Sequence, residues 1–395
     1  MASNFLKTKD IAIIACADVK NQRRSGRTAY DFCGDVMVAL LEKAGIGPGD
    51  IDGLAVNMPT AEAGNTFYSN MVADNLGLAP RWTQTSDIGG CAPLGNVVRA
   101  AAALTTGQCE MVMSLATDAT GTTGVDHRQL GGFRAEFMEP FGFQGPPTAF
   151  GFLSSAYDQR YGLNFDALAK LAGAQRDGAI RNDSALENFR KPITAEDYLN
   201  SRMIAYPIRL LDCVMRCDGG SGVLITTTER AKRMGVKRMV HPVAYAEITN
   251  FDPSDSTPDI TETGFSVVGP EVLAKAGMSA GDVGMFHPYD DFLIAVLLQL
   301  EQIGFCGRGE GGDFLLNTDI STGGALPINT GGGQISFGQP GLGGGGVNLT
   351  EALRQLFGEA GERQVPDARN ALVTGIGVIP YLRNWGTSSC MILEA

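Results

Sequence analysis

Short apolar runs alternate with amphipathic stretches along much of this chain. Residues 10–16 form a run of small and β-branched apolar residues that predicts a buried strand, and residues 51–56 predict a second one. Between them, the pattern over residues 29–44 predicts a helix that ends at Gly45, because glycine readily adopts the left-handed conformation that closes a helix. The order strand, helix, strand indicates an α/β fold.

The same order returns later in the chain. Residues 240–248 predict a strand, residues 269–276 a helix and residues 283–286 another strand. The link between helix and second strand is nearly copied: Ala-Gly-Ile-Gly-Pro-Gly-Asp-Ile at 44–51 and Ala-Gly-Met-Ser-Ala-Gly-Asp-Val at 276–283. We interpret this as a duplicated β-α-β unit.

The duplication predicts two similar halves with an insertion between parts of the first. Residues 1–119 and 206–235 would form the N-terminal half, and residues 236–395 the C-terminal half. Residues 120–205 are rich in Gly, Phe and Pro, and predict a loop-rich region that covers a site, with a helix at 164–182. The alternative is a surface excursion that only supports the core.

Composition narrows the possible functions. The chain has 395 residues and a formal net charge of −12, which argues against nucleic-acid binding through a broad basic surface. No apolar run reaches the length of a membrane span, and the first ten residues lack an apolar signal core. Eight scattered cysteines indicate reduced thiols and a cytoplasmic protein rather than a disulfide scaffold.

The first candidate for chemistry is Cys91, in the segment Ser-Asp-Ile-Gly-Gly-Cys-Ala-Pro-Leu-Gly at 86–95. This reads as a turn between a strand and a helix, and the helix over 96–104 is followed by Gly107 and a strand at 111–116. A helix N-terminus stabilises a thiolate or an oxyanion, so Cys91 could be a nucleophile. It could equally be a small buried residue that packs the turn.

The second candidate is the segment Phe-His-Pro-Tyr-Asp-Asp-Phe at 286–292, between a predicted strand and an apolar helix at 293–300. His287, Tyr289 and Asp290 could together transfer protons. His287 could instead only brace the end of the strand, and Tyr289 and Asp290 are the better candidates for facing a pocket.

The third candidate is the glycine-rich stretch at 329–346, which precedes a predicted helix at 347–356. It lacks the Gly-Lys-Ser/Thr of a nucleotide-binding P-loop, and no Gly-x-Gly-x-x-Gly fingerprint follows a strand. We expect this loop to line an active site and to supply backbone donors, with Gly332, Gly333 and Gly338 among them.

The order of these segments resembles the thiolase superfamily, in particular the sterol-carrier-protein-type thiolase-like proteins. The segments that carry the resemblance are Arg-Leu-Leu-Asp-Cys at 209–213, Cys-Asp-Gly-Gly at 217–220, Tyr-Asp-Asp-Phe at 289–292, the stretch at 300–310, Leu-Pro-Ile-Asn-Thr-Gly-Gly-Gly at 326–333 and the stretch at 355–365. The resemblance implies a five-layered αβαβα fold made of two similar halves. It also implies a homodimer and acyl-CoA thioester ligands, with no covalently bound cofactor and no metal.

The chain departs from the thiolase pattern at the reactive positions. Thiolases use a nucleophilic Cys at the elbow, a His in a Gly-His-Pro loop and a second Cys in a late turn. Here Gln339 stands in place of the His and Gly375 in place of the second Cys, with Gly377 following in the same turn. Counting back from Gly107 places the nucleophile position at Gly90, one residue before Cys91. A shift of one residue turns a side chain by about 100° on a helix.

The resemblance therefore implies a changed chemistry. Relatives that lack the thiolase Cys and carry Tyr-Asp-x-Phe act as retro-aldolases on side-chain acyl-CoA thioesters, and they work with a small OB-fold and zinc-ribbon partner protein. Tyr289 is the residue to which proton transfer carries over. Their second tyrosine falls at or near Gln339, for which Tyr381 is a conceivable substitute.

Three functions stay open from the sequence. The chain could make or break a C–C bond without the full thiolase set, transfer an acyl group through Cys91, or bind acyl-CoA or lipid as a non-catalytic subunit. In the first two, Gly90, Gly375 and Gly377 join the loop glycines as candidates for substrate and oxyanion binding. Four phenylalanines could rim a pocket for a bulky acyl group, or simply pack the core. They are Phe133, Phe137, Phe141 and Phe143.

Overall fold

The computed structural model describes residues 5–124, 136–143, 145–251, 259–377 and 385–395. Its strands are β1 (Ile11–Asp18), β2 (Gly53–Asn57), β3 (Trp82–Ser86), β4 (Met111–Ala119), β5 (Met203–Ala205), β6 (Ile208–Arg209), β7 (Asp218–Thr227), β8 (His241–Thr249), β9 (Phe286–His287), β10 (Asn370–Ile376) and β11 (Thr387–Glu394). Its helices are α1 (Ala29–Ala44), α2 (Tyr68–Asn75), α3 (Ala92–Thr105), α4 (Thr120–Thr123), α5 (Pro146–Tyr161), α6 (Phe165–Ile180), α7 (Ala195–Leu199), α8 (Thr228–Arg233), α9 (Phe265–Ala276), α10 (Leu293–Ile303), α11 (Gly311–Asn317), α12 (Gly333–Phe337) and α13 (Gly345–Phe357).

Two sheets organise these elements. The first has the strand order β1-β7-β4-β2-β3, in which β2 is parallel to both β3 and β4. The second has the order β8-β11-β10-β9 and is built from strands that follow residue 240. The strands of each sheet therefore fall on either side of the proposed duplication boundary, although the domain division itself stays a prediction.

The sheets lie between helices on both faces. Side chains of α1 and α2 share a core with one face of the first sheet, and α3 and α13 share a core with its other face and with the second sheet. Helices α9 and α10 cover the remaining face of the second sheet. Since both faces of the first sheet are covered, strands such as β1 and β4 are nearly continuous apolar runs. The layer order αβαβα confirms the fold class expected from the resemblance.

The two near-copied segments fold alike. Gly45 after α1 and Gly277 after α9 adopt φ of 66° and 75°, the left-handed conformation that ends a helix. Asp50 and Asp282 then each accept a backbone N–H from three residues earlier, at 2.8 Å in both cases. The repeated sequence therefore specifies a repeated turn.

Local expectations hold in the region 120–205 and fail for one short strand. Among the described residues of that region, α6 confirms the helix expected at 164–182, and α5 is a second helix of 16 residues. Helix α6 is stabilised at its start by the Asn164 side chain, which accepts the Ala167 N–H at 3.1 Å. The strand expected at 283–286 is confined to Phe286–His287, because Val283 still closes the preceding turn.

None of the helices in the described ranges is both long enough and apolar enough to cross a lipid bilayer.

Candidate active site

Cys91 lies at the elbow between β3 and α3, where it directly precedes the first residue of the helix. Its side chain is fully buried, and Sγ donates to the backbone oxygen of Thr387 on β11 at 3.6 Å. Burial raises the pKa of the Cys91 thiol, and the nearby Glu247 charge raises it further. The thiol therefore keeps its proton at neutral pH and is directed at the second sheet.

Histidine does not activate this thiol within the described residues. His241 lies at the start of β8, where its ring nitrogen contacts the backbone oxygen of Ile11 at 2.8 Å. His287 is buried elsewhere, and neither of its ring nitrogens has a hydrogen-bond partner in the described part of the chain. Asp126 and His127 lie outside the described residues.

The space above Gly90 is filled by Tyr289. A Cβ atom built on Gly90 would lie 2.2 Å from Cε2 and 2.5 Å from Oη of Tyr289. Real Cβ atoms do not approach that closely, so a side chain at position 90 and the Tyr289 ring exclude each other. The position that the sequence count identifies with the thiolase nucleophile is therefore occupied by a phenol from the other half of the chain.

Tyr289 is held in place along its backbone. Its N–H donates to Thr374 Oγ1 on β10 at 2.8 Å, and its carbonyl oxygen accepts Gln299 Nε2 of α10 at 2.8 Å. The side chain is only 4% exposed. Burial raises the pKa of the Tyr289 hydroxyl well above its ordinary value, and the charge of Asp291 adds to this. Tyr289 is thus a positioned, protonated hydroxyl.

Gln339 contacts this hydroxyl from the glycine-rich loop. Its Nε2 donates to Tyr289 Oη at 3.4 Å and to Gln334 Oε1 at 3.1 Å. Both hydrogens of the Gln339 amide are then engaged, and the tyrosine oxygen acts as an acceptor. The proton of Tyr289 is left to point toward another acceptor, such as a substrate oxygen.

Gly375 lies beside the same elbow. A Cβ built there would be 2.8 Å from Cys91 Cα and 3.0 Å from the backbone oxygen of Gly90. The structure therefore brings Gly90, Gly375, Gln339 and Tyr289 together, as the comparison with the thiolase pattern predicts. With glycine at both positions that the sequence matches to thiolase cysteines, no thiol projects toward Tyr289 from either of them.

Asp290 faces away from this cluster and is saturated with hydrogen bonds. Its two carboxylate oxygens accept Gln175 Nε2 at 2.8 Å, Asn348 Nδ2 at 3.1 Å, and the backbone N–H groups of Gln334 at 2.9 Å and Ile335 at 3.3 Å. Burial raises the pKa of Asp290 to about 7 against the effect of these donors. The side chain fastens the start of α12, so it is placed to position the loop rather than to meet a substrate.

The glycine next to this carboxylate is required by space. Gly333 has φ of 55°, and a Cβ on it would lie 2.0 Å from Asp290 Oδ2. Any side chain at Gly333 would therefore displace the carboxylate from the donors that hold it.

His287 belongs to a separate buried group. It lies close to Asn329 and Glu351, around a narrow internal space behind the glycine-rich loop. Burial lowers the pKa of His287 to about 4, while the Glu351 charge acts in the opposite direction. The imidazole is therefore neutral, and it is not grouped with Tyr289 as the sequence suggested.

Several of the candidate glycines use their backbone donors within the chain. The N–H of Gly332 donates to Asn329 O at 2.9 Å, that of Gly338 to Gln334 O at 3.0 Å, and that of Gly377 to Thr387 O at 2.8 Å. These three groups are not free to bind an oxyanion in this conformation. The side-chain donors of Tyr289 and its neighbours are better placed for that role.

The aromatic rim is tested only in part. Phe137 and Phe141 are 47% and 88% exposed, whereas Phe143 is buried. Phe133 and Tyr381 lie outside the described residues.

Sequence reasoning missed two polar side chains near the cluster. Asp291, the third residue of Tyr-Asp-Asp-Phe, has its Oδ1 shielded from solvent with no hydrogen-bond partner among the described residues, and so has Nε2 of Gln334. A carboxylate beside the proposed proton donor was visible in the motif. Its orientation was not, since adjacent residues in an irregular segment can face different surroundings.

Comparison with known proteins places this geometry in a family. Residues 246–393 match the family model described as thiolase C-terminal domain-like. The chain is 32% identical to a steroid side-chain-cleaving aldolase of Thermomonospora curvata, over 93% of this chain and 95% of that protein. It is 30% identical to the 17-hydroxy-3-oxo-4-pregnene-20-carboxyl-CoA lyase of Mycobacterium tuberculosis, over 93% and 96% of the two chains.

A solved structure agrees with these matches. The structure described as Ltp2-ChsH2(DUF35) aldolase superposes with a TM-score of 0.82 at 28% identity, and 98% of each chain is covered. The fold and the similarity over nearly the whole chain agree: this chain belongs to the thiolase superfamily, with a steroid side-chain-cleaving aldolase and a CoA lyase among its relatives.

Proposed function

We propose that this protein is a lyase that breaks a C–C bond in a 3-hydroxyacyl-CoA thioester by a retro-aldol reaction, without a covalent intermediate. The observation that carries the proposal is the Tyr289 phenol in the space over Gly90, where a thiolase would place its nucleophile. The names of the similar proteins, an aldolase and a CoA lyase, support the same reaction class.

The geometry suits the requirements of this reaction. In a retro-aldol cleavage the 3-hydroxyl loses its proton, the C2–C3 bond breaks, and its electron pair passes to C2 and the thioester carbonyl as an enolate. A hydrogen-bond donor must then stabilise the enolate oxygen or protonate C2. Tyr289 can do this, because its hydroxyl stays protonated and accepts from Gln339, which leaves its proton free for the substrate.

Acyl transfer through Cys91 has less support. The thiol is buried, its pKa is raised, and it donates to a backbone oxygen rather than lying beside a base. A thiolate is the reactive form of cysteine, and these features all oppose its formation.

Turnover of CoA thioesters by two variants tests the proposal. With 3-hydroxyacyl-CoA substrates that carry a bulky side chain, we expect Tyr289→Phe to lower kcat by a factor of about 10² to 10⁴, the usual size of an acid–base contribution. Cys91→Ala should keep most of the activity. Mass spectrometry after incubation with acyl-CoA should find no acyl group on Cys91, and acyl-CoA should not protect this thiol from iodoacetamide.

Contrary outcomes are equally clear. A Cys91 adduct together with an inactive Cys91→Ala variant would establish the covalent route. Turnover that persists through Tyr289→Phe, Cys91→Ala and Gln339→Ala, each made separately, would mean that this pocket does not carry the reaction and that the chain acts as a binding subunit.

The assembly is also a proposal. We propose that the chain forms a homodimer and works with a small second protein of the OB-fold and zinc-ribbon type. A structural neighbour whose description names two proteins, Ltp2 and ChsH2(DUF35), supports the second protein. Light scattering on the purified chain checks the first point, with a monomer mass as the contradicting result. Co-purification with such a protein encoded beside it checks the second, and full activity of the chain alone would speak against it.

A further inference from the structure

The proposed cleavage needs a group that accepts the proton of the 3-hydroxyl, and the residues discussed so far do not supply it. Tyr289 keeps its own proton, and the Gln339 amide cannot take one. Cys91 and His287 are directed elsewhere, and the carboxylate of Asp290 is saturated with donors. Asp291 is a carboxylate next to this cluster with no role yet.

One short segment holds Asp291 and Gln339 side by side. The N–H of Val214 donates to the backbone oxygen of Asp291 at 3.2 Å, and the backbone oxygen of the next residue, Met215, accepts the Gln339 N–H at 2.9 Å. Gln339 in turn contacts Tyr289 Oη. The backbones of Asp291 and Gln339 are thus anchored on adjacent residues of one segment, and the Gln339 side chain reaches the Tyr289 hydroxyl.

The charge of Asp291 also acts on the Tyr289 hydroxyl. Apart from burial, the largest influence on the Tyr289 hydroxyl is the charge of Asp291, which exceeds that of Cys91 and of Asp290. The charge of the Asp291 carboxylate therefore acts on the Tyr289 hydroxyl more strongly than the charge of the Asp290 carboxylate does.

Access from solvent separates these residues into two groups. Tyr289 is buried, whereas Asp291, Gln339, Val214 and Met215 are all partly exposed. Solvent reaches this set but hardly reaches Tyr289, so in our proposal the substrate enters past the partly exposed residues.

The carboxylate is poised to accept a proton. Asp291 Oδ1 is shielded from water and has no hydrogen-bond partner among the described residues. Burial and the neighbouring charge of Asp290 raise the pKa of Asp291 to about 8, while only backbone N–H groups act in the other direction. A base whose pKa lies close to the working pH is the most effective for proton transfer.

We propose that Asp291 is the general base of the cleavage: it takes the proton of the substrate 3-hydroxyl while Tyr289 supplies a proton to the leaving enolate. This rests on the proposed function. The hydroxyl oxygen forms the new carbonyl, the C2–C3 electron pair is protonated at C2, and the products are a ketone or aldehyde and a shortened acyl-CoA. Transfer of a proton from Asp291 back to the Tyr289 oxygen restores both residues, so protons and electrons balance.

The test compares Asp291→Asn, Asp291→Glu and a control in one assay. The control is Asp367→Asn, at an exposed position with φ of 51° that tolerates Asn. With a 3-hydroxyacyl-CoA that the wild type cleaves, we expect Asp291→Asn to lower kcat by about 10² to 10⁴ while the dissociation constant for the thioester changes less than about threefold. Asp367→Asn should match the wild type.

The pH profile separates a base from a structural residue. For the wild type, kcat should rise with pH as Asp291 loses its proton. Asp291→Asn should abolish this rise, and Asp291→Glu, which keeps the carboxylate, should retain it with a displaced midpoint and partial activity. A folded Asp291→Asn with more than a tenth of wild-type kcat overturns the inference, and so does an Asp291→Glu profile identical to that of the wild type.

The two proposals fail in different ways. No cleavage by the wild type with any 3-hydroxyacyl-CoA removes the proposed function and this inference with it. Cleavage by the wild type that is unaffected at Asp291 removes only the inference.

Discussion

Two neighbouring aspartates of the same motif have opposite surroundings. Asp290 points beneath the glycine-rich loop and receives four donors, whereas Asp291 is partly exposed and its Oδ1 lacks a partner among the described residues. Burial raises the pKa of both. The two carboxylates differ in how far hydrogen bonds offset their loss of hydration. A buried carboxylate with a full set of donors stabilises the fold, and one that lacks donors costs free energy.

This contrast indicates where the chain gives up stability for chemistry. Asp290 joins α6, α12 and α13 around one carboxylate, so its removal would loosen the loop. Asp291 joins nothing through its Oδ1, which is the expected condition of a group that awaits a substrate. Substitution of Asp290 should therefore lower the free energy of unfolding, and substitution of Asp291 should raise it.

The largest effect is expected for Asp290→Ala. The substitution leaves the donors of Gln175, Gln334, Ile335 and Asn348 without their acceptor in the interior. We expect the free energy of unfolding to fall by about 3–5 kcal/mol, as when one partner of a buried polar group is removed. Urea unfolding measures this, with Asp74→Ala, at an exposed position of α2, as control. A loss below about 1 kcal/mol would contradict the structural role of Asp290.

A smaller effect is expected when a single donor is removed. Gln175→Ala takes away the 2.8 Å bond to Asp290 Oδ2 and leaves the Ile335 N–H on that oxygen. The expected loss is about 1–3 kcal/mol, the cost of leaving a buried acceptor partly unsatisfied. The same urea titration applies, and Gln108→Ala, at an exposed position, is the matched control. Equal stabilities of the two variants would argue against the network.

The smallest effect, and one of opposite sign, is expected for Asp291→Asn. Because burial raises the pKa of Asp291 to about 8, the folded protein binds more protons at this site than the unfolded chain between about pH 4 and 8. This contribution to stability therefore falls as the pH rises through that window. Asparagine does not titrate. The free energy of unfolding of the variant should therefore exceed that of the wild type increasingly as the pH rises, by about 0.5–2 kcal/mol near pH 8.

Unfolding free energies at about pH 5 and about pH 8 check this sign. Asp290→Asn serves as comparison, since it places an amide against the backbone donors of Gln334 and Ile335 and should destabilise at both values. If Asp291→Asn instead loses stability relative to the wild type as the pH rises, the ionised Asp291 carboxylate is stabilised in the fold, against our expectation.

Local patterns in the sequence predicted the parts of the fold that depend on near neighbours. Helix α1 begins and ends where its pattern and Gly45 indicate, and the copied turns before β2 and β9 fold alike. The helix expected at 164–182 is observed as α6, whereas α5 was not predicted. The sequence of α5 is rich in small, polar and aromatic residues without a marked apolar face, so packing against the second half decides its helical state.

At the candidate site, the sequence indicated which residues lie near one another better than it indicated where their side chains point. Spacing predicts that Gly90 takes the nucleophile position and that Gln339 and Gly375 are replacements, and the structure places all three around Tyr289 and the elbow. The suggestion that His287 and Asp290 act together with Tyr289 rested only on their being neighbours in the sequence. In the structure these side chains face three different surroundings, since β9 ends at His287 and the segment beyond it is irregular.

By itself, the sequence determined the layered fold and its duplication, and it predicted that the thiolase thiol and imidazole are replaced, because apolar periodicity, glycine turns and residue identity are properties of the chain. Only the tertiary structure decided that a phenol from one half fills the space over a glycine of the other, and which of two adjacent carboxylates has an oxygen without a hydrogen-bond partner among the described residues. Those outcomes depend on contacts between distant segments and on the exclusion of water, which arise when the halves pack together.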